Sequence, residues 1–166
     1  FVGDTSVHEY PTSEQMAEMA ISASRVVRLF GFDPKVAFVS HSTFGQPLTS
    51  RTKHIKNAVE ILKSKNVNFE FDGDMQPDVA LNKEYKNLYP FSKIVGNANI
   101  LIMPGQHSAA ISYKMMKELG DTKVIGPLLI GLGLPIEIAP LRSSTSEILN
   151  LASIAAYSAD VIDYKK

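Results

Sequence analysis

Between Lys35 and Gly45 an apolar run breaks abruptly into hydroxyls, an imidazole and a glycine: Lys-Val-Ala-Phe-Val-Ser-His-Ser-Thr-Phe-Gly. Val36, Ala37, Phe38 and Val39 show no polar alternation, so neither face of a strand built from them suits water. A strand covered on both faces belongs to a parallel sheet flanked by helices. In open α/β sheets ligands bind outside the carboxyl ends of such strands. Ser40, His41, Ser42, Thr43 and Gly45 leave the strand at that edge, and the basic segment Arg51 to Lys56 follows directly. These residues, with Arg51 and Lys53 as the cations, are the candidate contacts for a phosphate-bearing small molecule.

The rest of the chain supplies the helices. Thr12 and Gln15 stand at capping-box spacing after Pro11. Met16, Met19, Ala20, Ala23, Val27 and Phe30 then recur as one apolar stripe, which Gly31 and Pro34 end. A second amphipathic helix carries Ile55, Ala58, Val59 and Leu62. Val67 to Phe71 alternates as a strand, with Asp72-Gly73-Asp74 read as its terminating turn. Pro77 to Asn87 is expected as one short helix. Asn99 to Met103 is expected as a strand stopped by Pro104-Gly105, with Ser108 capping a helix that runs to Leu119. Gly126 to Gly133 is a short apolar run framed by glycines, and Pro135 to Ala139 is a further strand candidate. Ser144 and Glu147 form another capping box, opening a helix with the face Ile148, Leu151, Ala152, Ala155, Ala159 and Ile162. Short apolar strands alternating with helices predict an α/β sandwich with a mostly parallel sheet around one core.

Bulk properties narrow the function. The 17 basic and 17 acidic residues of the 166-residue chain cancel, so no global field recruits nucleic acid or an anionic membrane. Any anion site has to be local. The absence of cysteine removes thiol nucleophiles, disulfides and thiolate metal sites. His8, His41, His54 and His107 have no partner at metal-ligand spacing, so no metal site is expected. Gly131-Leu132-Gly133 lacks the third glycine of a dinucleotide fingerprint, and no Walker loop is present. The lack of a signal peptide or a long apolar span suggests the cytoplasm. The first residue, Phe1 rather than methionine, leads us to expect a piece excised from a longer polypeptide.

Several segments then resemble one family in order. Phe1-Val2-Gly3-Asp4 with Pro11 to Ala17, Val39 to Gly45, Asp72-Gly73-Asp74-Met75-Gln76, Ala98 to Pro104, Ile111-Ser112-Tyr113-Lys114, and Ile125-Gly126-Pro127 through Gly131-Leu132 and Pro135 are similar to landmarks in the second half of phosphate acetyl- and butyryltransferases. The resemblance spans essentially the whole chain. It implies an isocitrate/isopropylmalate dehydrogenase-like lobe, a three-layer sandwich, with residues 1–166 as the second lobe and closing helix. Ser-His-Ser followed by Phe44-Gly45 resembles the form at the carboxy terminus of bacterial multidomain NADP-dependent malic enzymes rather than the Ser-Phe-Ser-Thr-Lys-Gly of free-standing transacetylases. The resemblance therefore implies an amino-terminal malic enzyme part, with its NADP and divalent metal. That part would convert malate to pyruvate, while this region senses acetyl-CoA or CoA and helps form a homo-oligomer.

Acetyl transfer to phosphate needs a cationic clamp, oxyanion donors and a base for the thiol. The family places Ser-Arg-Gly before the last helix and an aspartate six residues after the arginine. A gap-free comparison puts Pro140, Leu141 and Arg142 on Ser-Arg-Gly, and Glu147 on the aspartate. The arginine column thus holds leucine, and Arg142 is one residue late, about 3.8 Å along the chain. Ala110 stands where the family often has asparagine. No catalytic residue is expected, therefore; Arg142 and Glu147 enter only if the chain is a working transferase. Glu147 is already explained as the third residue of the Ser144 cap. Cations in the first turns of the second helix oppose its dipole, which favours a bound anion there, although a solvated helix face explains them as well. Three readings follow: an acetyl-CoA-responsive regulatory domain, an active transferase, or a purely structural oligomerisation module.

Overall fold

The computed structural model of the protein describes residues 1–120 and 123–161. Its elements, in order, are β1 (Val2–Gly3), α1 (Ser13–Leu29), β2 (Lys35–Val39), α2 (Ser50–Ser64), β3 (Glu70–Met75), α3 (Pro77–Leu81), α4 (Lys83–Lys86), β4 (Ile100–Ile102), α5 (Gln106–Leu119) and α6 (Thr145–Val161). The chain divides into two compact units, Phe1–Tyr113 and the residues from Lys114 onward. The first unit holds a four-stranded sheet in the order β1-β4-β2-β3, parallel throughout.

Each sheet face has its own apolar cluster. On one face Val36 and Phe38 of β2 and Ile100 and Ile102 of β4 pack with Met16, Ala17, Ala20 and Val27 of α1 and Ile55, Ala58, Val59 and Leu62 of α2. On the other, Ala37, Val39 and Met75 pack with Val79, Ala80, Ile94, Ala98, Met103 and Ala109. The unbroken apolar run of β2 therefore has the cause inferred for it, helices on both sides of a parallel sheet. Thr12 caps α1 through both bonds of the capping box, with Gln15 N–H to Thr12 Oγ1 at 3.2 Å and Thr12 N–H to Gln15 Oε1 at 2.8 Å.

Several boundaries differ from the sequence reading, each for a physical reason. The third strand runs through Asp72-Gly73-Asp74 instead of stopping there. Its register against β2 shifts by one residue, from Phe38 opposite Gly73 to Val39 opposite Met75, so Asp74 is the extra residue of a bulge. Turn-prone residues serve the bulge because side-chain and backbone groups outside the ladder satisfy them. Asp72 accepts the N–H groups of Gly73 at 3.0 Å and Lys93 at 2.7 Å. The expected helix from Pro77 to Asn87 is split at Asn82, which is extended and caps the second turn by accepting the Glu84 N–H at 2.9 Å. Helix α5 begins two residues before Ser108, whose hydroxyl donates back to the Gly105 carbonyl at 2.8 Å. Phe30 leaves the α1 stripe as its C-cap residue and packs on Phe1, with ring centroids 5.5 Å apart.

In the second unit, neither Gly126–Gly133 nor Pro135–Ala139 forms a strand. Positive φ at Gly126 and Gly131 interrupts the extended course, and Pro127 and Pro135 lack ladder donors. Glu137 instead accepts the Leu129 N–H at 3.0 Å. Burial pushes the Glu137 carboxyl above its ordinary range, against that bond. The capping box of α6 forms, but of its expected face only Leu151 is buried; Ile148, Ala152 and Ala159 are exposed. Helical spacing groups apolar residues on one face without supplying a surface to cover them, and of that face's described residues Leu151 alone is buried. Ile162 lies outside the described residues.

At the end of β1 the chain turns around Asp4, whose carboxylate accepts the N–H groups of Ser6, Val7 and His8 and meets the His8 ring. Burial opposes ionisation of Asp4, and these donors overcome it, so its carboxyl sits below the ordinary 3.8. A depressed folded-state pKa stabilises the fold fully above the unfolded value and loses that contribution as pH falls through the folded one. Thermal denaturation should therefore show the wild-type melting temperature falling more steeply than that of Asp4→Asn below about pH 4. A Cβ on Gly73 would lie 2.8 Å from both Cβ and O of Phe38, and φ there is +152°. Gly73→Ala should cost about 2 kcal/mol or more in urea unfolding, given the usual cost of overpacking and backbone strain.

Candidate functional site

The parallel sheet sends the carboxyl ends of its strands to one edge. Connections from β2 pass to the α1/α2 face and those from the neighbouring β4 to the opposite face, a change of side that in open α/β sheets marks the usual place for a ligand. The hydroxyl loop, residues 40–45, leaves β2 at that place.

Asp74 and its neighbours hold the loop from the β3 side. The Ser42 hydroxyl donates to Asp74 Oδ2, the Gly45 N–H donates to Asp74 Oδ1 at 2.9 Å, and the Phe44 N–H donates to the Asp74 carbonyl at 2.6 Å. The Ser40 N–H donates to the Met75 carbonyl at 2.9 Å, and the Gln76 N–H to Thr43 Oγ1 at 3.2 Å. Gln76 Nε2 reaches the His41 carbonyl at 3.0 Å. Asp74 is 3% exposed, so its charge depends on these donors for the solvation it has lost. The bulge delivers the residue: it places Asp74 outside the strand ladder, aimed at the loop that leaves the adjacent strand.

This arrangement sorts the sequence-derived candidates. Ser42 is fully buried, Thr43 and Ser40 are 7% and 8% exposed, and Ser42 and Thr43 already bond to β3 and the residue after it. They set the shape of the loop. His41 is exposed, with Nδ1 3.4 Å from Ser40 Oγ, and presents its ring at the edge. Phe44 has φ +50° and Gly45 φ +78°. For Phe44 that conformation is held by its N–H bond to Asp74 and by ring contacts to Tyr89 and Phe91, at 5.6 and 4.8 Å between centroids.

Helix α2 starts at the same edge. Thr49 caps it through a box with Thr52, at 3.2 and 2.8 Å, and no acidic residue sits in its first turn. The side chains of Arg51 and Lys53 are exposed and make no hydrogen bond or ion pair with a described residue. His54 is separated from this group of cations. Its Nε2–H donates to the Pro11 carbonyl at 2.8 Å and its Nδ1 lies 3.1 Å from Ser13 Oγ, fastening α2 to the start of α1. The edge therefore offers one exposed imidazole and two unneutralised cations beside a helix N-terminus, a set suited to phosphate oxygens. Among the described residues no group of three His, Asp or Glu side chains could hold a metal ion.

Asp74 and Gln76 were missed as site residues. The signal is the segment Asp72-Gly73-Asp74-Met75-Gln76, where acids flank a glycine directly after an apolar alternation, a pattern that suits a bulge as well as a turn.

In the second unit, Glu147 is taken up in the cap. Ser144 donates its N–H at 2.7 Å and its hydroxyl at 2.9 Å to Glu147 Oε2, and the Glu147 N–H returns to Ser144 Oγ at 3.3 Å. The Ser144 N–H, then its hydroxyl, holds the Glu147 carboxyl below its usual range, which makes it a weaker base. Lys117 lies 3.7 Å away. Arg142 is exposed and its side chain pairs with no described residue, while Leu141 is wholly exposed.

Comparison with known proteins agrees with this architecture. The NADP-dependent malic enzyme of Rhizobium meliloti is 48% identical over 158 residues, 95% of this chain and 21% of that protein. The phosphate acetyltransferase of Clostridium acetobutylicum is 35% identical over 158 residues, 94% of this chain and 47% of that protein. A phosphotransacetylase structure from Streptococcus pyogenes superposes with TM-score 0.91 at 32% identity, covering 96% of this chain and 49% of that one. The chain thus spans about a fifth of the malic enzyme and about half of the acetyltransferases. The sequence model for phosphate acetyl/butaryl transferase matches residues 1–156, and the chain belongs to that family.

Proposed function

We propose that this chain is the acetyl-CoA-responsive, transfer-impaired domain at the carboxy terminus of a cytoplasmic NADP-dependent malic enzyme. Its partner is the malic enzyme part of the same chain, which carries the NADP and divalent metal. The reading is supported by the gap-free family comparison, which puts Leu141 in the arginine column, and is carried by the Ser144 cap, which occupies the carboxylate of Glu147. Loss of one positioned electrostatic donor costs ~100- to 1,000-fold in rate. Phe44 in place of a loop lysine removes a further cation, and its ring is committed to Tyr89 and Phe91.

Ligand binding does not need those groups. His41, Arg51 and Lys53 supply contacts for the phosphates of an acyl-CoA, and the latched loop gives them a fixed frame. Regulation then requires that acetyl-CoA bind the active and inactive assemblies with different affinity.

In the protein carrying this chain, phosphate-dependent formation of acetyl phosphate from acetyl-CoA should be at least ~100-fold slower than in a working phosphate acetyltransferase. Comparable rates would establish the active-transferase reading instead. Acetyl-CoA should change the rate of malate-dependent NADPH formation. Neither binding nor a change in rate would leave only the oligomerisation role. Arg51→Ala should weaken acetyl-CoA binding about tenfold by calorimetry, the usual order for a charge-assisted hydrogen bond, with a smaller loss at high salt.

A further inference from the structure

A second group at the carboxyl edge is built with more precision than its local turn requires. Asp4 directly follows β1, which pairs with β4. Its Oδ1 accepts the N–H groups of Ser6 at 3.0 Å and Val7 at 2.9 Å, and its Oδ2 accepts the His8 N–H at 2.8 Å. Those three backbone donors already close the turn and engage both oxygens. The His8 ring nevertheless adds a fourth contact, Nδ1 to Oδ2 at 2.6 Å, at the cost of its rotamer freedom.

The chemistry of that contact fixes the ring. A carboxylate only accepts, so Nδ1 carries the hydrogen and the neutral ring keeps its lone pair on Nε2. The Asp4 side chain is 12% exposed and that of His8 33%, so the carboxylate sits behind the ring and the ring meets solvent. The loop is also pinned. The Glu9 carbonyl accepts the Gln106 N–H at 3.2 Å and lies 2.9 Å from where a Cβ on Gly105 would stand. A carboxylate that orients an imidazole and stabilises its protonated form is the arrangement of a general base.

We propose that His8, oriented by Asp4, is the proton acceptor for the free thiol of coenzyme A at this edge. The inference rests on the acyl-CoA reading above and adds to it the group that recognises the thiol. In the step the thiol S–H bond breaks, the proton forms a bond to Nε2, and the thiolate stays beside an imidazolium held by Asp4. No other bond changes and no group leaves. An acetyl thioester has no such proton, so His8 separates the two forms of the ligand. An ordinary thiol with a pKa of about 8.5 is mostly protonated at neutral pH, which makes the transfer visible.

The test is a titration of the protein with coenzyme A at pH 7, read by ultraviolet absorbance of the thiolate, with acetyl-CoA titrated in parallel. The expected result is a thiolate band on binding coenzyme A and none with acetyl-CoA. His8→Asn should abolish the band and weaken coenzyme A more than acetyl-CoA, with its folding checked by circular dichroism. Asp4→Asn should reduce the band by removing the partner of the imidazolium. Binding of coenzyme A without a band, or a band that survives His8→Asn, would overturn the assignment and leave the acyl-CoA reading standing. If neither ligand binds, the acyl-CoA reading falls and this inference with it.

Discussion

The carboxylate of Asp74 is the point on which this edge of the molecule depends. It is 3% exposed and accepts from the Ser42 hydroxyl and the Gly45 N–H, while its own carbonyl accepts from Phe44. A carboxylate withdrawn from water this far requires such donors. Its position is set by the β3 bulge, and the bulge in turn needs Gly73, where Phe38 leaves no space for a Cβ. The chain of causes therefore runs from a glycine opposite a core phenylalanine, through a buried acid, to the shape of a loop at the ligand edge. Positive φ at Phe44 belongs to the same balance: the bond to Asp74 and the rings of Tyr89 and Phe91 offset its strain.

That dependence changes what the serines and threonine mean. Read as sequence, Ser40, Ser42 and Thr43 are a cluster of ligand donors. In the structure Ser42 and Thr43 are turned to β3 and the residue after it, and the groups left facing outward are His41, Arg51 and Lys53. Side-chain hydroxyls at a strand end serve the backbone and its neighbours first. Arg51 and Lys53 of α2 have no such internal employment, whereas His54 fastens two helices together. Family membership and an edge with three outward-facing basic groups are the two observations on which the proposed binding role rests.

How legible all this was depended on how local the cause was. The α1 cap, the stripes of α1 and α2, the run of β2 and the Ser144 cap are decided within a few residues, and the sequence predicts each of them. The β3 boundary was misread because Asp72-Gly73-Asp74 has the same local preferences in a turn as in a bulge; the choice is made by Lys93, Gly45 and Ser42, from 21 to 32 residues away. The apolar runs after Lys123 looked like strands, but proline and positive-φ glycines leave them without a ladder. Ile148 and its neighbours were expected to be covered because their spacing is helical, yet spacing alone does not say whether a covering surface exists. The family, by contrast, was readable from the order of its segments, since order and spacing survive substitutions that erase single functional residues.

On the proposed function, the latched loop and the start of α2 form a surface that binds acetyl-CoA without transferring its acetyl group to phosphate. Hydrogen exchange of backbone amides, measured with and without acetyl-CoA in the presence of phosphate, tests it most directly. Slower exchange should be confined to residues 40–46 and the first turn of α2, with the acetyl-CoA recovered intact at the end. Unchanged exchange there, or acetyl-CoA consumed during the measurement, would contradict it.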